Sequence, residues 1–169
     1  MTELEVLALK HGTDKAQHGY CPHYEMLIGH LHLLPIIMLE IGVASGDSIR
    51  MWREWMPKAT IYGMDISDPT PIEGATILQG NQNNTDDLDR VAREIGRFQF
   101  VVDDAGHNRE EQKVCQAFTF ERLVSGGWYV IEDLGDIHDI SDFELQSDVE
   151  ELHMIRGKGG SMILFLKKR

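Results

Sequence analysis

The chain has 169 residues and carries 16 Lys and Arg against 28 Asp and Glu, a formal net charge of −12 at pH 7. That length suits one domain with a full core, and 42% hydrophobic with 26% charged residues is a globular balance. The charge argues against nucleic acid or anionic lipid as a partner, no stretch approaches the ~20 apolar residues of a membrane span, and two cysteines, Cys21 and Cys115, make no disulfide framework. The expectation is therefore a soluble, cytoplasmic, single-domain protein (1–169) whose acidic groups suit a cationic ligand or a divalent metal.

In chain order, two short helical patterns, around Leu4–Leu9 and Tyr24–Leu34, flank a loop rich in Gly and His and form an N-terminal cap over residues 1–35. From residue 36 the pattern changes to apolar runs alternating with helical periodicities. Ile36–Gly42 reads as a strand buried on both faces. Ser45 is placed to cap a helix to about Met56, stopped by Pro57. Ala59–Ile66 and Ala75–Leu78 read as strands two and three, and Thr85 as the cap of a helix ending near Gly96. Phe98–Val102 is strand four, breaking into Asp103-Asp104-Ala105-Gly106-His107. Asn108 with Glu111 resembles a capping box for a helix through Val124, ended by Gly126-Gly127. Trp128–Ile131 is strand five. Glu150–Ile155 and Met162–Leu166 are two last strands around a Gly turn at 157–160. Asp136–Asp142 is expected to be a solvated crossover loop.

This alternation predicts an α/β fold, a doubly wound, mostly parallel seven-stranded sheet with helices on both faces and a short helical segment ahead of it. Ligands of such sheets lie beyond the carboxyl ends of the strands, and the polar residues gather there. The first turn, Glu40-Ile41-Gly42-Val43-Ala44-Ser45-Gly46, lacks the second glycine of a dinucleotide G-x-G-x-x-G, which disfavours a nicotinamide oxidoreductase. An acid followed by glycines suits a ligand with positive charge and no pyrophosphate. Asp65, ending strand two, is placed to hold ribose hydroxyls. Asp104, Glu132 and Asp133 end the neighbouring strands four and five. Three converging carboxylates need a cation or protons to offset their repulsion, and an all-oxygen set favours Mg²⁺ or Mn²⁺ over zinc. The plain alternative is a solvated acidic rim. His107, three residues after Asp104, can reach anything bound there. Asp103 is expected to be structural, because strand alternation turns it away from Asp104. The other histidines, His11, His18, His23, His30, His32, His138 and His153, have no zinc-ligand spacing and are expected at the surface or satisfied in the core.

The run Leu39-Glu40-Ile41-Gly42-Val43-x-x-Gly46-x-Ser48-x-x-Met51-Trp52 resembles the first motif of class I S-adenosylmethionine-dependent methyltransferases. With His11-Gly12-Thr13-Asp14-Lys15, Tyr24, Asp103–His107 and Ile131-Glu132-Asp133-Leu134, it resembles the metal-dependent sugar O-methyltransferases that tailor macrolides and other glycosylated natural products. The resemblance implies S-adenosylmethionine contacts from Glu40, Gly42, Gly46 and Ser48, ribose contact from Asp65, and adenine contact near Gln82. It further implies Mg²⁺ (or Mn²⁺) on Asp104, Glu132 and Asp133, with His107 as general base. Thr13 and Lys15 would fold over the cofactor. The implied acceptor is a small molecule with adjacent hydroxyls, a catechol-type acceptor or a non-catalytic cofactor-binding module being the alternatives; a homo-oligomer is compatible with the sequence. Two features depart from the family: Gly80-Asn81-Gln82 stands for Gly-Asp-Gln, and only 15 residues separate Leu134 from Glu150, where the family carries a longer substrate lid.

Overall fold

The computed structural model describes residues 1–68, 70–134 and 147–169; the expected loop at Asp136–Asp142 and His138 lie outside them. Seven strands form one sheet: β1 (Ile37–Ile41), β2 (Thr60–Asp65), β3 (Ala75–Gln79), β4 (Phe98–Asp103), β5 (Leu123–Ile131), β6 (Val149–Arg156) and β7 (Met162–Lys168). Their order is β3-β2-β1-β4-β5-β7-β6. The first five are parallel neighbours, and β7 enters antiparallel between β5 and β6. The seven-stranded, mostly parallel sheet expected from the sequence is thus present. Chain order reverses between β1 and β4, so the crevice beyond their carboxyl ends is the natural ligand position.

The helices are α1 (Glu3–His11), α2 (Lys15–His18), α3 (Cys21–Ile28), α4 (Asp47–Trp55), α5 (Thr85–Ile95) and α6 (Arg109–Glu121). One core joins the cap to one sheet face: Leu4, Ala8, Tyr24 and Ile28 pack with Trp52, Phe100 and Phe165. The rings of Tyr24 and Trp52 meet edge-on at 5.0 Å, and those of Tyr24 and Phe165 at 5.1 Å, a geometry that aligns ring edge with ring face. The opposite sheet face packs on α5 and α6 through Leu88, Val91, Ile95 and Phe120. In α5 these apolar side chains recur at helical spacing while Asp86, Asp87 and Arg93 lie outward.

Four local expectations are corrected. Gly46, with φ +81°, and not Ser45, is the N-cap of α4; the Ser45 hydroxyl binds Asp47 instead. Asn84, and not Thr85, caps α5, its side chain accepting from the Asp86 N–H. The helix begun at Asn108, whose side chain accepts from Glu111 N–H, ends at Glu121 rather than Val124. Val124–Gly127 continue β5, and the register between β4 and β5 slips between Phe98 and Phe100. Gly126 (φ +76°) lies in that slip: the glycine pair that looked like a helix stop bends a strand. The loop expected between the cap helices also contains α2, which starts at Lys15.

Candidate active site

A cavity of about 750 Å³ opens beyond β1, β2 and β4, a size typical of small-molecule sites. Its floor is the turn after β1. Gly42 has φ +91°, and a Cβ there would stand 2.2 Å from the Asp104 carbonyl oxygen. The turn after β1 therefore lies directly on the turn after β4, and only glycine permits it. Ala44 is left-handed as well, at φ +47°, a conformation that costs an alanine about 1–2 kcal/mol. Asp65 fixes the turn: its Oδ2 accepts from Val43 N–H (2.8 Å) and Ala44 N–H (2.9 Å), and its Oδ1 accepts from Ser67 N–H (2.9 Å). Partial burial pushes the Asp65 carboxyl up, but these backbone donors outweigh it and hold the pKa below the ordinary value. These backbone bonds take three of the about four positions a carboxylate offers, and the exposed Ser67 side chain also bonds to it. Gln82 also lines the cavity. Its Oε1 accepts from Gly106 N–H at 3.0 Å, while its Nε2, in a side chain 6% exposed, has no partner. That leaves a buried donor in want of an acceptor. Gly42, Ser48, Asp65, Gln82 and Thr13 all border the cavity, as do Asp104 and His107.

Glu40, Gly46 and Lys15 do not border it. Glu40 is fully buried beneath the turn, accepting from Ser48 Oγ (2.8 Å) and Trp52 Nε1 (3.2 Å), with Lys15 Nζ at 3.5 Å. Burial raises its pKa against the pull of Lys15. Its carboxylate thus lies beneath the turn, held by Ser48, Trp52 and Lys15. Gly46 starts α4. Lys15, also fully buried, donates to Asp104 Oδ2 (2.7 Å) and Glu132 Oε2 (2.9 Å). Desolvation opposes its charge, but Glu132, Asp104 and Glu40 overcome that and hold its pKa well above normal: it is an ammonium in the core.

The three acids expected to bind metal do stand together, with unequal availability. Glu132 is 1% exposed; one oxygen accepts from Lys15 and the other from the Tyr24 hydroxyl. Burial raises its pKa against the pull of Lys15, and neighbouring Asp104 adds to the rise. Asp133, left-handed at φ +48°, accepts from the Tyr20 hydroxyl at 2.6 Å. The ligand atoms of Asp104, His107 and Asp133 lie within 4.8 Å of one another, as do those of Asp14, His18 and Asp133. The carboxylates exceed the single ammonium, and Asp104 and Asp133 stay half-exposed. The donor set thus fits a divalent, oxygen-preferring cation at Asp104 and Asp133, with Glu132 the adjacent acid already held by Lys15 and Tyr24. Asp103 is buried and accepts from the Tyr129 hydroxyl at 2.8 Å, pointing away from the rim as strand alternation predicts; desolvation raises its pKa to about 7.

Sequence reasoning missed Tyr20 and His18 as neighbours of the rim, and Glu111, which borders the cavity beside Gly106. Only the helical spacing of Glu111 from Asn108 hinted that it returns toward the turn. No family model matches the chain. It is 36% identical over 126 residues to mycinamicin VI 2''-O-methyltransferase of Micromonospora griseorubida, spanning 69% of this chain and 32% of that protein. It is 35% identical over 143 residues to 8-demethyl-8-(2-methoxy-alpha-L-rhamnosyl)-tetracenomycin-C 3'-O-methyltransferase of Streptomyces olivaceus, spanning 78% of this chain and 37% of that protein. The chain thus spans about a third of the length of these curated relatives. Its structure superposes on the mycinamycin-pathway methyltransferase MycE, solved with Mg, S-adenosylhomocysteine (SAH) and mycinamycin VI, at TM-score 0.85 and 27% identity, over 99% of this chain and 54% of that one. A ribosomal RNA methyltransferase from Plasmodium falciparum, described as putative, shares the fold alone, at TM-score 0.67 and 19% identity.

Proposed function

The chain belongs to the class I S-adenosylmethionine-dependent methyltransferases and is homologous to the sugar O-methyltransferases of macrolide and tetracenomycin tailoring, and from that premise we propose that it transfers the methyl group of S-adenosylmethionine to a hydroxyl of a small-molecule vicinal diol, a sugar of a glycosylated natural product. The observation that carries this reading is the junction of two turns: Gly42, under the cavity, rests on the backbone of Asp104, at the acidic rim. Cofactor pocket and candidate metal ligand are thereby in register. When bound, S-adenosylmethionine would supply an electrophilic methyl carbon with SAH as its leaving group, and Mg²⁺ would supply the positive charge that eases proton loss from a sugar hydroxyl.

This chain's residues do the rest. Asp65 would accept from a ribose hydroxyl in place of the exposed Ser67 side chain. Gln82 presents its Nε2 donor to an acceptor atom at the adenine end, which supports a contact there even with Asn81 in place of the family's acid. Thr13 borders the cofactor from the cap. Asp104, Asp133 and Glu132 would hold the cation, the first two through oxygens that no described residue bonds and Glu132 from its bonded position. His107 is exposed on the turn after Asp104, so its imidazole can take the proton from the acceptor hydroxyl. An imidazolium there would lose it to solvent. The one-module reading, residues 1–35 capping 36–169, is supported by the core that cap and sheet share. The net charge of −12 supports a small acceptor rather than nucleic acid. No helix among the described residues is long and apolar enough to cross a membrane, and two unpaired buried thiols support a reducing, cytoplasmic setting.

The test is transfer of a labelled methyl group to a rhamnoside or similar glycoside with adjacent hydroxyls. Transfer that requires Mg²⁺ or Mn²⁺ and stops on chelation is expected. Transfer undiminished by exhaustive chelation would remove the metal from the reading, and SAH binding without transfer to any diol or catechol would leave a cofactor-binding module.

A further inference from the structure

One ten-residue stretch of the cap answers every acid of the rim. Lys15 donates to Asp104 and Glu132, Tyr24 to Glu132, and Tyr20 to Asp133. His18 Nδ1 stands 3.2 Å from Asp133 Oδ1 without the alignment of a hydrogen bond. Three of these four side chains, Lys15, Tyr20 and Tyr24, are fully buried. The partners are remote in sequence: Lys15 is 89 residues from Asp104 and 117 from Glu132. Such bonds form only when the cap is docked on the sheet. Among the described residues Lys15 is the one Lys or Arg that pairs with Glu40, Asp104 or Glu132. Its ammonium joins the acid under the cofactor turn to the acids of the rim.

Carboxylates this close repel unless a cation stands between them, and Lys15 is that cation. We propose that Lys15 is a positioning residue, the chain's own counter-ion, which holds Asp104 and Glu132 assembled with Glu40 before a divalent ion binds. The inference rests on the reading of the rim as a metal centre and adds that the rim is built metal-free from the cap. A divalent ion then meets ligands already in place, and its binding adds to the lysine's work instead of replacing it. Without the ammonium, the same rim depends on an external cation, or on the loss of one carboxylate, to keep its shape.

The experiment is thermal unfolding of the full chain, with and without Mg²⁺, for wild type, Lys15→Met and Lys15→Met/Glu132→Gln. Methionine keeps an unbranched stem and removes the charge together with the donors to Asp104 and Glu132. In metal-free buffer, Lys15→Met is expected to lower Tm by roughly 10 °C, as a buried charge left unpaired should in a chain of this size. Mg²⁺ should raise the Tm of that variant by more than it raises that of wild type. Adding Glu132→Gln should recover a measurable part of the loss without any metal, because one of the carboxylates left without its counter-ion is neutralised. A loss relieved neither by Mg²⁺ nor by Glu132→Gln would overturn the proposal, since a lysine that only packs would behave so; no loss at all would overturn it equally. If Lys15→Met yields no folded protein, the double variant decides: folded supports the proposal, unfolded refutes it. A wild type whose Tm ignores Mg²⁺ would refute the metal reading itself, while the Glu132→Gln comparison would still report on Lys15.

Discussion

Substituting alanine for Gly42 tests the link between the two halves of the site. The residue has φ +91°, and an added Cβ would meet the Asp104 carbonyl oxygen at 2.2 Å, its carbon at 2.6 Å and Ala105 Cα at 2.8 Å. These are backbone atoms with no rotamer to escape into, and the closest approach is short of van der Waals contact by roughly 1 Å. Gly42 cannot retreat freely, since its N–H is bonded to Met64 O at 2.8 Å, and Asp104 N–H is bonded to Ile41 O at 2.8 Å. The left-handed conformation costs alanine about 1–2 kcal/mol and the overpacking about 1–3 kcal/mol. A loss of about 2–5 kcal/mol predicts a Tm drop of roughly 5–20 °C. The displaced atoms belong to Asp104 and lead into His107, and a shift near 1 Å in a reacting group can cost about 10²-fold in rate. Calorimetry of Gly42→Ala should therefore show weakened Mg²⁺ binding as well as weakened SAH binding. If SAH binding alone falls while Mg²⁺ affinity and Tm match wild type, Gly42 merely makes room for the cofactor and the coupling of the two turns is wrong.

Asp65→Ala should lower SAH affinity about tenfold or more by removing a charged acceptor, and should lower Tm because Val43 and Ala44 N–H lose their partner; unchanged affinity in a titration would detach Asp65 from the ribose. His107→Ala should leave SAH affinity intact and cut methyl transfer by about 10²–10⁴-fold, and a variant within a few-fold of wild type in initial-rate assays would return His107 to the plain surface.

The sheet was legible because its strands are apolar runs that break into polar turns, and those turns hold Gly42, Asp65, Asp104 and His107, the residues that border the cavity. Adjacent cap candidates were misjudged by one residue, Ser45 for Gly46 and Thr85 for Asn84, because both members of each pair suit a cap and tertiary contacts choose between them. Gly126-Gly127 misled because a glycine pair can end a helix or sit in a strand irregularity, and only the β4 register tells which. The position of Glu40 was hidden for a related reason. In a strand with both faces covered, alternation does not say which side meets the ligand, and Glu40 turned to Ser48, Trp52 and Lys15. The bonds from Lys15, Tyr20 and Tyr24 to the rim span about a hundred residues each, and nothing local in the cap encodes them. The family pattern marked Lys15 as significant; packing shows that it answers the acids rather than the cavity.

Calorimetric titration of the full chain with SAH, with and without Mg²⁺, tests the central claim most directly. Saturable binding at micromolar affinity or better, surviving chelation, is the predicted result. A folded protein that gives no heat with either SAH or S-adenosylmethionine would contradict it.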